Sequence, residues 1–516
     1  MKKKKIVWIL ISSLVALIFI SGSFALAAGP KGEIVVASSQ GTMELRKVYD
    51  PHTAIGSTPT TFKSMCFDSL VTKDEKGAFL PALAESWKIA PDWSSMSFTL
   101  RKGIKFHNGE PFTAEDVKFS MERAMREDLR FVFGPEMSRS IDKIEVVDDY
   151  HVIIHLKHAY PALLDRCFEY LAIVPKDYLE KVGDDGFAAK PIGTGPFKVV
   201  DFKRDVFFDV EAVDNHYRKT PHVKKIHYKN VPEHSTRLAM LKTGEADMVM
   251  LLSTHIPNVN KDPELRIIWS KDTYCQTLVF FDLAHPEDSP FKDIRVRRAT
   301  SLAIDRKGIA DAVGHGAAVP WGSFLAPYHP GFDPNRKPDP YDPEKAKKLL
   351  AEAGYAKGFD TVLTSHPTLK PRFEPMLQQL RDVGIRCKFN VPEAGTWSKT
   401  FVASKFRGIG FGSGPWWVGR GHPAVALRSH ITGTWAHNLA TPEIKEAMRK
   451  LEAATEEKEI ARLARNLDDT IFEALIRVPL WSNQVAFAVR PTIAEYPGVP
   501  GVVFPMNFEY LKLKGQ

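Results

Sequence analysis

Cysteine is scarce in this chain: four residues in 516, at positions 66, 167, 275 and 387. No two form a C-x-x-C pair or stand at zinc-type spacing, which argues against a disulfide-stapled scaffold and against a structural zinc module. Four cysteines allow three pairings, but their wide separation fits buried free thiols at least as well. Catalytic signatures are missing too. There is no H-E-x-x-H and no G-x-x-x-x-G-K-[ST], so neither zinc-protease nor ATPase chemistry is supported. GFGSGP (410–415) fails the G-x-S-x-G spacing at Phe411, so it is no nucleophile elbow. No arginine-rich arm and no basic cluster interleaved with aromatics follows residue 30, which removes the usual footprint of nucleic-acid binding. A repeat of solenoid period and a low-complexity linker are absent as well. The chain should therefore fold as two to four compact domains that share several chain crossings.

One apolar run is present, at the start. MKKKK is a positive n-region, IVWILISSLVALIFI (6–20) is uncharged, and Ala25-Leu26-Ala27 precedes Ala28 in a small-residue pattern. Residues 1–28 read as a secretory signal peptide cleaved near Ala27 or Ala28. An uncleaved anchor is the alternative, since the run approaches spanning length. The junction has no cysteine, which speaks against a lipid-anchored lipoprotein. Four lysines of this segment supply half of the formal charge of +8 and leave +4 on the rest, a mild excess that selects no acidic partner.

Patterns of regular structure follow. EIVVASS (33–39) reads as a buried strand, and MSFTLRKGIKFHNG (96–109) as an alternating strand with a turn at Asn108-Gly109. PFTAEDVKFSMERAM has Thr113 as N-cap and Glu115 and Asp116 in the first turn, which predicts a helix. HVIIHL, PFKVVDF and FFDVEAV have strand patterns. RVRRATSLAID, DPEKAKKLLAEAG and PRFEPMLQQLRDVGI (371–385) read as helices, the second with Asp342 as cap, Pro343 at its first position and Gly354 at its stop. Residues 442–475 read as two long helices, and VPLWSNQVAFAV (478–489) as a strand pair. Helix then strand recurs in the second half, as in an α/β sheet with crossovers.

Several segments together resemble one family. LAESWKIAPDWSSMSFTLRKGIKFHNGEPFTAEDVKFSMERA (83–124), PIGTGPFKV (191–199), TRLAMLKTGEADMV (236–249), FKDIRVRRATSLAIDRKGI (291–309) and IFEALIRVPLWSNQ (471–484) are similar, in order and spacing, to the family 5 solute-binding proteins that serve ABC importers of dipeptides, oligopeptides and nickel. The resemblance spans essentially the whole chain after residue 28. It implies an α/β, two-lobed periplasmic-binding-protein fold with an extra inserted domain and a ligand cleft between the lobes. Transferred to this numbering, lobe one is residues 29–72, 190–288 and 491–516, the extra domain 73–189, and lobe two 289–490. The resemblance also implies a periplasmic protein that is a monomer, needs no cofactor, and hands its solute to membrane permease subunits after hinge closure.

The ligand expectation turns on GPWWVGRGHP (414–423). In the family this stretch lines the cleft, and peptide-binding members carry an aspartate there, in patterns like D-Y-x-x-P, that pairs with the peptide's α-ammonium. With Pro423 setting the register, Gly419 occupies the acid's place and Arg420 follows it. A buried ammonium without a carboxylate is costly, so a peptide becomes the alternative cargo. Arg420 offers a fork for carboxylate, sulfonate or phosphate, and Trp416 and Trp417 offer flat apolar walls. The favoured ligand is thus a small organic or peptide-like solute with an acidic group. The resemblance adds Trp397 as an aromatic at the cleft border, Ile55, Gly56, Ser57 and Thr58 as the lobe-one loop that touches ligand, and Tyr274 and Gln276 near a crossover between lobes. Arg126 and Arg130 fit a solvated helix end better than a ligand role. His151, His155 and His158 are the densest histidines, but strand alternation turns His158 away from the other two, so no metal site is expected. A secreted hydrolase or a chemosensory binding protein on this fold is the competing class, and the missing nucleophile–base pattern disfavours the hydrolase.

Overall fold

The computed structural model describes residues 29–38, 49–53, 57–74, 78–131, 133–164, 171–415, 422–431, 440–497 and 507–516. Its centre is an eleven-stranded sheet. At one end of the sheet, Glu33–Ser38 lies parallel to both Lys225–Asn230 and Met248–Met250, and Phe207–Ala212 and Phe197–Lys203 extend it antiparallel. At the other end, Phe359–Thr364 runs parallel to Ile385–Asn390 and Ile409–Pro415. Two long antiparallel strands, Arg266–Phe280 and Arg477–Val489, join the halves.

Each half has its own apolar core. Phe62, Phe197, Phe208, Tyr228 and Phe487 pack together on one side of the first half. Phe280, Phe324, Leu363, Phe373, Leu380 and Trp481 belong to the core of the second. A third core lies under a separate four-stranded sheet built from Ala84–Ile89, Ser95–Leu100, His151–Leu156 and Ile141–Asp148. Helix Ala114–Ala124 covers it through Val117, Met121 and Ala124.

Local chemistry explains most of these elements. Thr113 and Asp116 form a reciprocal capping box at the start of Ala114–Ala124. Asp342 accepts from the Lys345 N–H at 2.9 Å to open Pro343–Glu352, and Gly354 follows with φ 91°. Gly109 takes φ 90° in the predicted turn. Asn108 does not share that left-handed conformation. Its side chain instead accepts from the Glu110 N–H at 3.2 Å, closing the turn as an Asx motif.

Two further expectations are corrected. Residues 371–385 do not form one helix: Lys370–Phe373 and Met376–Asp382 are separate, broken at Glu374-Pro375, where proline cannot donate and crowds the preceding turn. VPLWSNQVAFAV is not a strand pair but part of the single strand Arg477–Val489. It runs on without a turn because it has a partner along its length, lying opposite Arg266–Phe280 as it passes from one half of the molecule to the other. Cys66, Cys275 and Cys387 are free thiols whose pKa values burial pushes up, while Cys167 lies outside the described residues. No helix among the described residues is long and apolar enough to cross a membrane.

Candidate functional site

The two joining strands mark where the halves meet. Their register shifts between Ser270 and Tyr274, where Lys271, Asp272 and Thr273 face the single residue Gln484, and again between Gln276 and Thr277. Bulges of this kind loosen the ladder and bend a strand. The bend falls between the part of Arg266–Phe280 that pairs with Val485–Val489 and the part that pairs with Ile409–Pro415.

Beside the bend sits a polar cluster that spacing alone did not reveal. Arg372, in the short helix Lys370–Phe373, is only 8% exposed. Its Nη1 donates to Gln276 Oε1 at 3.3 Å and to Asn483 Oδ1, and its Nη2 to the Ala317 carbonyl at 3.4 Å. Gln276 and Asn483 stand on the two joining strands, one on each, and both are buried. The Ala317 carbonyl also accepts from Gln484 N at 3.0 Å, opposite the bulge. Gln276 Nε2 has no hydrogen-bond partner among the described residues, and a buried donor left so costs about 1–3 kcal/mol. The arrangement places a guanidinium and an amide N–H, both able to donate to an incoming oxygen, at the point where the halves bend.

The break that isolates Arg372 is visible in the sequence as Pro371 and Pro375 bracketing R-F-E. Reading one continuous helix there hid it. Pro375 was the available signal, because a proline inside a helical pattern ends the helix.

The sequence-derived positions are distributed unevenly around this cluster. Gln276 belongs to it. Tyr274 lies on the same strand, with its backbone opposite Asn483 and Pro415. Trp397 is 4% exposed and sits in the core of the second half. It is stacked on Phe401 at 4.5 Å and meets His366 edge-on at 5.0 Å, and its Nε1 has no partner among the described residues. Ser57 and Thr58 open helix Ser57–Cys66. Ile55, Gly56, Trp416, Trp417 and Arg420 lie outside the described residues.

The flanks of the 416–421 segment are described. On one side Ile409–Pro415 pairs along Tyr274–Phe280, so Pro415 ends beside the bend. Glycine is required in that strand: a Cβ on Gly412 would meet Val279 Cγ2 at 2.2 Å and Thr277 Oγ1 at 2.9 Å. On the other side helix Pro423–Ile431 buries Ala424, Ala426 and Leu427 in the second half, whereas Val425 joins the core of the separate sheet.

Two of the histidines singled out earlier pair with carboxylates. His151 contacts Asp148 at 2.8 Å and His155 contacts Glu145 at 2.9 Å. No group of three or more potential metal ligands occurs among the described residues. Arg126 pairs with Asp128 at 2.7 Å and with Asp184 at 3.0 Å.

The family profile described as bacterial extracellular solute-binding proteins, family 5, middle, matches residues 78–429. Heme-binding protein A of Haemophilus influenzae is 30% identical over 338 residues, 59% of this chain and 60% of that protein, so the match spans less than two thirds of that relative. Among solved structures, the ABC transporter-associated periplasmic binding protein DppA from Helicobacter pylori, in complex with the peptide STSA, is 24% identical. It superposes with a TM-score of 0.81, covering 93% of this chain and 98% of that one. The binding protein AgaA from A. tumefaciens R10, in complex with agropinic acid, is 25% identical with a TM-score of 0.79, covering 94% and 99%.

Proposed function

We propose a specific role for this protein, which belongs to the bacterial extracellular solute-binding proteins of family 5: it is the substrate-binding component of an ABC importer for a small solute carrying an acidic group. Glu33–Ser38 and the strands around it form lobe one, the strands around Phe359–Thr364 form lobe two, and the four-stranded sheet is the inserted domain. The lobe boundaries fall inside the joining strands, at Lys271–Thr273 and at Gln484. The solute enters between the lobes, the bend closes over it, and the closed form docks on permease subunits in the membrane. The protein acts as a monomer in the periplasm after loss of residues 1–28, and it releases its ligand unchanged.

One observation carries the acidic preference: Arg372 is held between Gln276 and Asn483 at the bend. A carboxylate arriving there accepts from the guanidinium and from Gln276 Nε2, which has no partner among the described residues. The AgaA complex with agropinic acid and the absence of an acid from residues 414–423 favour the same class. A di- or oligopeptide is the second reading, favoured by the DppA complex with a peptide.

A thermal-shift panel on protein refolded free of ligand separates the two. A cognate ligand at a hundred times its Kd stabilises by about 2.7 kcal/mol. Organic acids should raise the melting temperature of the native protein, and Arg372→Gln and Arg420→Ala should each lower their affinity by about tenfold or more. A response to free peptides alone, unchanged in both variants, would overturn the acidic reading. Conversion of any panel member into product would overturn the transport role.

A further inference from the structure

Lobe one carries a second cavity, far from the bend. It is an open concavity of about 550 Å³ lined by Lys219, His222, Arg266, Lys512, Glu495 and Tyr510, together with Tyr496 and Pro497. The sheet registers fix its place. Glu33 pairs with Lys225 at the N-terminal ends of their parallel strands, and Arg266 lies opposite Val489, at the end of each joining strand remote from lobe two. Residues 219–222 precede Lys225, and 494–497 follow Val489. The cavity therefore opens at the pole of lobe one opposite the solute cleft. The start of the described chain is beside it: the His222 carbonyl accepts from Lys31 N at 2.8 Å.

Its charge is lopsided. Glu495 is the one acidic residue in the lining, and it is engaged by Lys512 at 2.7 Å. Arg266 spends Nη2 on the Ile493 and Ala494 carbonyls, at 2.5 and 2.6 Å. Those bonds orient the guanidinium without neutralising it. Neither Arg266 nor Lys219 has a carboxylate within ion-pair distance among the described residues. Burial, followed by Lys219 and Lys512, lowers the proton affinity of His222 against the pull of Glu495. Like charges gathered around one concavity repel each other unless a counter-anion shares it.

We propose that this cavity is a binding site for a phosphate-type dianion, held by Lys219, Arg266 and Lys512 with His222 as an additional donor, and separate from the transported solute. Two cations without carboxylate partners match the charge of a dianion, and the oriented guanidinium suits phosphate oxygens. A free phosphate compound can present that dianion, and the phosphodiester of a lipid headgroup presents the same acceptor oxygens with a single charge.

The test uses the whole chain after residue 28. Inorganic phosphate is titrated by calorimetry, with sulfate at equal ionic strength as reference, and co-sedimentation is measured on vesicles of phosphatidylglycerol and of phosphatidylcholine. Phosphate binding that weakens by about tenfold or more in Lys219→Ala and in the Lys219→Ala/Arg266→Lys pair supports a free-phosphate ligand. Sedimentation with the anionic vesicles alone, lost in the same variants, supports a headgroup. Lys219→Ala removes no hydrogen bond from the fold and guards against misfolding of the pair. Arg372→Gln should leave both readouts unchanged, so failure of the solute reading is recognised separately. Binding to neither probe, or binding equal in native and variant proteins, overturns the proposal.

Discussion

The seam between the inserted domain and lobe one and the passage between the two lobes are both polar, and they are built from opposite materials. In the seam, Arg123 of the inserted domain donates to both oxygens of Asp50, at 3.0 and 2.5 Å, and to Asp184 at 2.8 Å. Arg123 and Asp50 are buried, and His52 beside them holds the Ala172 carbonyl at 2.8 Å. The glycines of GTGP are also part of it. A Cβ on Gly193 or Gly195 would meet the Cys66 carbonyl region at 2.1 and 2.5 Å, and His107 N donates to the Gly193 carbonyl at 2.9 Å. At the passage, Arg372 donates to amide and carbonyl oxygens, next to a bulge. Full charges matched at close range hold one geometry strongly, because breaking a buried pair strands a charge. Neutral acceptors on bulged strands yield at lower cost. The inserted domain should therefore move with lobe one as a unit, and the motion that matters should occur at the passage.

The largest effect should come from breaking the seam. Asp50→Ala leaves Arg123 buried with half its partners gone and should cost about 3–5 kcal/mol of stability, measured by urea denaturation. Ligand affinity of the refolded variant at low temperature should change far less than its stability. A cost below about 1 kcal/mol would mean that the seam is not held by charge.

Acid probes the same seam through His52. Burial, and then Arg123, push its pKa from 6.5 down to about 4. The fold thus favours the neutral ring. That stability is complete above pH 6.5 and is lost as pH falls towards 4, amounting to about 3 kcal/mol over the window. Melting temperature followed from pH 7 to pH 4 should fall, and His52→Gln should flatten that fall. A profile identical in the variant would remove His52 from the account.

The smallest predicted effect belongs to lobe two. Val425 is the side chain of helix Pro423–Ile431 that reaches the inserted-domain core. If lobe two moves against the other two units, this contact exists only when the lobes are closed. Val425→Ala should then weaken ligand binding by about 1.5 kcal/mol, from two lost methyl groups, with the melting temperature of the ligand-free protein unchanged. Equal losses in the ligand-free and ligand-bound proteins would indicate a fixed contact and sharpen the boundary the other way.

Much of the fold was legible before any coordinates. Thr113, Asp342 and Gly354 announced their helix ends because caps act within a few residues of chain. Strands such as HVIIHL alternated because one face meets a core. The same locality explains the errors. Pro375 was outvoted by an apolar pattern on both sides of it. The site was less legible. Gln276 was anticipated from its place near a crossover, whereas Arg372 and Asn483 were not, because 96 and 111 residues separate Arg372 from the two side chains it bridges.

Sequence alone determined the class of this protein: ordered motifs along the chain, an export-type start, no catalytic signature, and a stretch, GPWWVGRGHP, that contains no acid. Those are properties of residue identity and short-range order. Tertiary structure alone decided that VPLWSNQVAFAV runs unbroken between the lobes, since only a partner along its length lets such a strand continue without a turn. It also decided that Arg372 stands at the bend and that Lys219, Arg266 and Lys512 share one cavity at the opposite pole. Charges far apart in the chain become a site when folding gathers them around one cavity, and nothing in their spacing along the chain records that.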